Sequence, residues 1–212
     1  MSTIIVDYDS GNLHSALKAF QRMARETDSG EVRVSSDPAS VARADRVVLP
    51  GVGAFASCRK GLENRTGLLE AIEDAVKIRG APFLGICVGM QLLADLGREH
   101  GDTPGFGWIQ GEVVRIEPSN ARCKIPHIGW NELAHERSHP VFNGVSEGAH
   151  AFFVHSYRFD AKFPENVIAS TEHGEKIAAA VAVDNIVGTQ FHPEKSQRLG
   201  LQLIGNFLSW TP

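Results

Sequence analysis

The chain has 212 residues, 42% of them hydrophobic and 22% charged, with a formal net charge of −4. That composition predicts a folded protein with a proper core and the size of one domain, spanning 1–212. It offers no basic field for nucleic acid, and no apolar run approaches the roughly 20 residues that cross a bilayer, so neither is expected as a partner. Met1 to Asp7 carry no basic stretch and enter a strand-like run directly, which argues against a secretory signal. The three cysteines, Cys58, Cys87 and Cys123, are an odd number without close pairs. They predict a reducing, cytoplasmic setting with no disulfide framework and no Cys-x-x-Cys metal site.

Strand and helix signals alternate through the first half. Thr3 to Asp7 is apolar and β-branched, and Leu13, Ala16, Leu17, Phe20 and Met23 then recur at helical spacing. Glu31 to Ser35 alternates as a strand. Asp37-Pro38 reads as N-cap and first helical residue of a short helix ending near Arg43. Arg46 to Leu49 is a third strand, and Leu68, Leu69, Ile72 and Val76 mark a further helix closed near Gly80. Pro82 to Ile86 reads as a buried strand and Met90 to Leu96 as a helix. Beyond Gly101 the runs are short and β-rich, including Gly111 to Ile116, Ala151 to His155 and Ala178 to Val183. A helix carrying Leu199, Leu203, Ile204, Phe207 and Leu208 closes the chain. The expected fold is α/β: a mostly parallel central sheet with helices on both faces, of flavodoxin-like type, plus an antiparallel β-rich portion on the same core.

Chemistry concentrates in three places. Gly85-Ile86-Cys87-Val88-Gly89 sets a cysteine between two glycines at a strand-to-helix turn, the pattern of a nucleophile elbow. A cysteine in a strand is ordinarily just a small core residue. The flanking glycines favour a nucleophile instead, and a helix N-terminus after it would favour the thiolate. Such a nucleophile needs a base and a group to orient the base. Of nine histidines, His192 in Gln190-Phe191-His192-Pro193-Glu194 fits best, because Pro193 keeps the chain extended and Glu194 then lies on the same side. Pro50-Gly51-Val52-Gly53 follows the third strand and can turn main-chain N–H groups toward an oxyanion. Neither His127 nor His155 has a second ligand at metal-binding spacing, so no metal is expected, and Cys58 and Cys123 read as packing or surface thiols.

Together these segments resemble the class I (triad-type) glutamine amidotransferases. Asp7 to Leu13, His127-Ile128-Gly129-Trp130-Asn131, Phe153-Val154-His155-Ser156-Tyr157 and Gln190 to Gln197 narrow the resemblance to the glutaminase subunits of imidazole glycerol phosphate synthases, in histidine biosynthesis. It runs from about residue 4 to residue 208. Two departures, Phe152 in place of a frequent tyrosine and Phe106-Gly107-Trp108 in place of an aliphatic run, leave the triad untouched.

The resemblance implies that Cys87 attacks the carboxamide of glutamine, that His192 handles the protons and that Glu194 orients His192. It implies oxyanion donors from Val88 and from Val52 or Gly53, and a glutamine grip by Gln91 with the backbone around Ser156 and Tyr157. No cofactor is implied. Ammonia would pass to a (β/α)8-barrel cyclase in a heterodimer, with Asn12, His127 and Trp130 as interface candidates. The glutaminase component of anthranilate synthase or of another biosynthetic amidotransferase, a stand-alone cysteine hydrolase, and a binding module on the same fold remain as alternatives. Glutamine hydrolysis by the isolated chain, and with a candidate cyclase, separates them.

Overall fold

The computed structural model describes residues 1–120 and 122–212. Along the chain come β1 (Ser2–Val6), α1 (Leu13–Thr27), β2 (Glu31–Ser35), α2 (Pro38–Ala42), β3 (Arg46–Gly51), α3 (Phe55–Glu63), α4 (Leu68–Glu73) and β4 (Phe83–Cys87). The second part supplies α5 (Val88–Gln91), β5 (Leu96–Gly97), β6 (Thr103–Pro104), β7 (Gly111–Arg115), β8 (His127–Glu132), β9 (Ala134–His135) and β10 (His150–His155). It ends with β11 (Tyr157–Ala161), β12 (Val167–Glu172), β13 (Lys176–Val183), β14 (Ile186–Thr189) and α6 (Gln197–Ser209). Among the described residues no helix is long and apolar enough to cross a membrane.

Eight strands form one sheet in the order β2-β1-β3-β4-β14-β13-β12-β9. The first five are mutually parallel and the rest antiparallel. The β-rich second half packs on the same core, as its texture predicts. It also continues the central sheet: β14 adds parallel to β4 with Thr189 level with Ile86. Two smaller sheets, β10-β8 and β11-β7-β5-β6, complete it. The chain steps outward from β1 to β2 and back past β1 to β3, so right-handed crossovers place α1 on one face and α2 on the other. On the α1 face Phe20 meets Phe207 of α6 edge-on, with ring centroids 6.4 Å apart.

Local signals made some elements readable. Asp37 does cap α2, accepting the Ala39 and Ser40 N–H groups. One expectation fails and one helix carries no expectation at all. The helix after Cys87 is a single turn that begins at Val88 rather than Met90. It stops because the carbonyls of Leu92, Leu93 and Ala94 are taken by the N–H groups of Phe106, Gly107, Trp108 and Ile109. Helix α3, in contrast, carries no local signal: Ala54 stands at its N-cap without a side-chain acceptor. The cap comes from Glu99, whose Oε2 accepts the Phe55 N–H at 2.8 Å.

Candidate active site

The parallel strands β3, β4 and β14 end on one edge of the sheet, where ligands of open α/β folds gather. Register sets the site. Gly51 lies level with Cys87, and Thr189 with Ile86, so Gln190 and His192 emerge beside Cys87. Cys87 holds φ 55° and ψ −111°, a conformation that costs a non-glycine residue on the order of 1–3 kcal/mol. Both neighbouring glycines are needed for space. A Cβ on Gly85 would overlap the Gly89 carbonyl oxygen, and one on Gly89 would overlap that of Leu49.

His192 Nδ1 lies 2.8 Å from Glu194 Oε1, and both side chains are only 3% exposed. Glu194 accepts, so the ring's other nitrogen, Nε2, is the one left for Cys87. It has no formed hydrogen bond, and Glu194 Oε2 is likewise unpartnered and buried. Burial disfavours the imidazolium, but the Cys87 sulfur and the Glu194 carboxylate outweigh it and push His192 up from 6.5 to about 9. A protonated His192 sets a positive charge beside the Cys87 sulfur, whereas α5, a single turn, offers no long helix dipole there.

A cavity of about 270 Å³ opens over Cys87, lined by Val52, Gly53, Val88, Gln91, Ser156, Tyr157 and His192 among others. All the residues expected at the catalytic, oxyanion and substrate positions except Glu194, which lies behind His192, border this one space. In the oxyanion loop the glycines differ. Gly53 has φ +88° with open space around it, whereas Gly51 is needed for room, since a Cβ there would sit 2.8 Å from Tyr8 Oη. The Val52 N–H is directed to Ser10 Oγ at 3.2 Å, and Ser10 Oγ donates back to the Val52 carbonyl at 3.0 Å. Gln91 donates through Nε2 to the Tyr157 carbonyl and to Gln190 Oε1, both at 3.0 Å.

Of the interface candidates, Asn12 and Trp130 are exposed, and His127 is not. Strand β8 alternates, turning His127 inward opposite His155 of β10 and leaving Ile128 and Trp130 outside. Burial, with His155 and His173 nearby, pushes His127 down to about 3, and burial is also the main reason that His155 falls to about 4. Three residues near the site lie within the motif segments but receive no role from them. Gln190 Nε2 approaches Cys87 Sγ at 3.7 Å, Ser196 Oγ donates to the His192 carbonyl at 2.6 Å, and Ser10 holds the loop. Gln190 stands in the segment that carries His192, and its further signal is a polar residue immediately after a buried strand. Among the described residues, no group of three or more His, Cys, Asp or Glu could hold a metal ion.

Residues 4–209 match the class-I glutamine amidotransferase family. The chain belongs to that family. The amidotransferase is 59% identical over 212 residues to imidazole glycerol phosphate synthase subunit HisH of Cereibacter sphaeroides, covering all of both chains. It is 58% identical over 212 residues to the HisH subunit of Ruegeria pomeroyi and 54% over 216 residues to that of Brucella abortus, again over the whole of each chain. Solved structures share the fold at lower identity. A crystal structure titled glutamine amidotransferase has a TM-score of 0.69 at 19% identity, over 95% of this chain and 98% of that one. A glutamine amidotransferase from Thermotoga maritima has a TM-score of 0.62 at 19% identity, over 92% and 76%.

Proposed function

We propose that this amidotransferase is the glutaminase subunit of an imidazole glycerol phosphate synthase. It is a single domain over 1–212 that works in the cytoplasm and hands ammonia to a (β/α)8-barrel cyclase in a heterodimer. The cyclase makes imidazole glycerol phosphate and an aminoimidazole carboxamide ribotide in histidine biosynthesis. The observation that carries the reading is a strained Cys87 beside a buried His192–Glu194 pair, in a chain that matches HisH subunits end to end.

The Cys87 thiolate attacks the side-chain carbonyl carbon of glutamine, and Val88 with a loop N–H holds the oxyanion. Protonated His192 gives its proton to the leaving nitrogen, releasing ammonia and a γ-glutamyl thioester. Now neutral, it takes a proton from water, whose oxygen attacks the thioester. Glutamate leaves, and the thiolate–imidazolium pair is restored. Glu194 fixes the ring tautomer throughout. The exposed Asn12, Ile128, Trp130 and Val52 are available to a partner, with Val52 linking that surface to the oxyanion loop.

The loop supports coupling between partner and chemistry. With its N–H on Ser10, Val52 withholds an oxyanion donor worth on the order of 3 kcal/mol, about a hundredfold in rate. The isolated chain is therefore expected to be a slow glutaminase, accelerated mainly in kcat by the nucleotide-loaded cyclase. Gly53→Val, which forces a β-branched residue toward positive φ, should reduce that acceleration more than it changes glutamine binding. Gly51 is not an equivalent probe, because its requirement is space. Steady-state glutaminase assays decide: equal kcat with and without the loaded cyclase refutes the coupling and leaves the triad standing.

A further inference from the structure

His155, which helps to line the cavity, and His127 behind it are two buried histidines in a hydrogen-bond chain whose direction is dictated from both ends. At the far end the Asn131 side chain is oriented by main chain: Oδ1 accepts the Glu132 N–H at 2.9 Å, and Nδ2 donates to the Glu172 carbonyl at 2.8 Å. The same Nδ2 lies 3.2 Å from His127 Nε2, so that ring nitrogen must accept. A neutral imidazole accepting at Nε2 carries its proton on Nδ1, which faces His155 Nε2 at 3.0 Å. At the near end the Tyr157 carbonyl can only accept, so His155 Nδ1, 2.8 Å away, carries a proton and its Nε2 is bare. Both ends demand the same polarity, and only one proton fits between the two rings. Burial of both, at 3% and 7% exposure, disfavours a second.

Tyr157 passes the order on. Its carbonyl also accepts from Gln91, and the other Gln91 N–H goes to Gln190 Oε1. Both amide protons are thereby engaged, and Oε1 is the polar atom that Gln91 has left for a ligand in the cavity it lines.

We propose that His127 and His155 are positioning residues: the one-way chain from Asn131 through His127 and His155 fixes the Tyr157 carbonyl, so that Gln91 presents an acceptor to an N–H donor of the substrate. The proposal rests on the cavity being the glutamine site. The competing role for His127 is packing, since its ring stacks on Phe153 and His173 at 4.8 and 4.1 Å.

Two measurements on the full chain test it. Ring-nitrogen NMR should show both histidines as Nδ1–H tautomers with bare Nε2 at neutral pH, and Nε2–H on either ring overturns the chain whatever the substrate. His127→Phe keeps a stacking ring and removes the donor. It should raise the glutamine KM about tenfold, the scale of one hydrogen bond, while kcat in the cyclase complex and alkylation of Cys87 by iodoacetamide stay near wild type. His127→Asn, which restores a donor near Nδ1 without the ring, should recover most of the affinity. An unchanged KM in His127→Phe, a fall confined to kcat, or a His127→Asn variant as impaired as His127→Phe overturns the positioning role. A wild-type complex that does not hydrolyse glutamine sinks the substrate reading, and the role in glutamine binding with it, while the tautomers still report on the chain itself.

Discussion

Replacing Cys87 with alanine is expected to lower glutamine-dependent synthesis by about 10⁴-fold or more, while free ammonia continues to support the cyclase reaction of the complex. Among the described residues Cys87 carries the one thiol that borders the cavity, at the strained turn, so no neighbour can form the thioester in its place. The fold should survive, because alanine removes one atom and inherits the same backbone conformation. A second signature follows from the charge pairing. Cys87 is one of two groups that raise His192 to about 9, so in the alanine variant the imidazole should titrate below that value, with Glu194 still holding it up. Glutamine use at the wild-type rate by the variant would disprove the nucleophile assignment.

His192→Ala is expected to be nearly as damaging, on the order of 10⁴-fold, because one imidazole serves both leaving ammonia and attacking water. Glu194→Gln should cost at least about tenfold less. Its amide oxygen can still accept the Nδ1 proton across the present 2.8 Å, and what disappears is the charge that favours the imidazolium. Single-turnover rates of the two variants rank the roles. A Glu194→Gln enzyme slower than His192→Ala would contradict them.

The sequence was most informative where structure is decided locally. The edges of β2 and the Asp37 cap of α2 depend on a few adjacent residues, and both lie where their pattern places them. Helix α3 stayed hidden because its capping carboxylate, Glu99, is 44 residues away. The helix after Cys87 is shorter than its pattern predicts, for the reverse reason. Its apolar run looks helical, yet distant N–H groups claim the carbonyls that would continue it. The parallel joining of β14 to β4, which delivers His192 to Cys87, is a pairing across about a hundred residues that periodicity does not encode. Motif resemblance bridged that gap for Cys87, His192 and Glu194. It gives no role to the polar side chains around them, Gln190, Ser196 and Ser10. The same resemblance offers His127 as an interface residue with Asn12 and Trp130, whereas the strand's alternation turns it inward onto His155.

The most direct test of the glutaminase-subunit reading follows the nitrogen atom. The chain and its cyclase partner are supplied with amide-¹⁵N glutamine in a solution of unlabelled ammonium, and the imidazole product is analysed by mass spectrometry. Product nitrogen drawn predominantly from ¹⁵N, with one glutamate formed per product, is the predicted result. Product carrying solution nitrogen, or synthesis that leaves glutamine unconsumed, would contradict it.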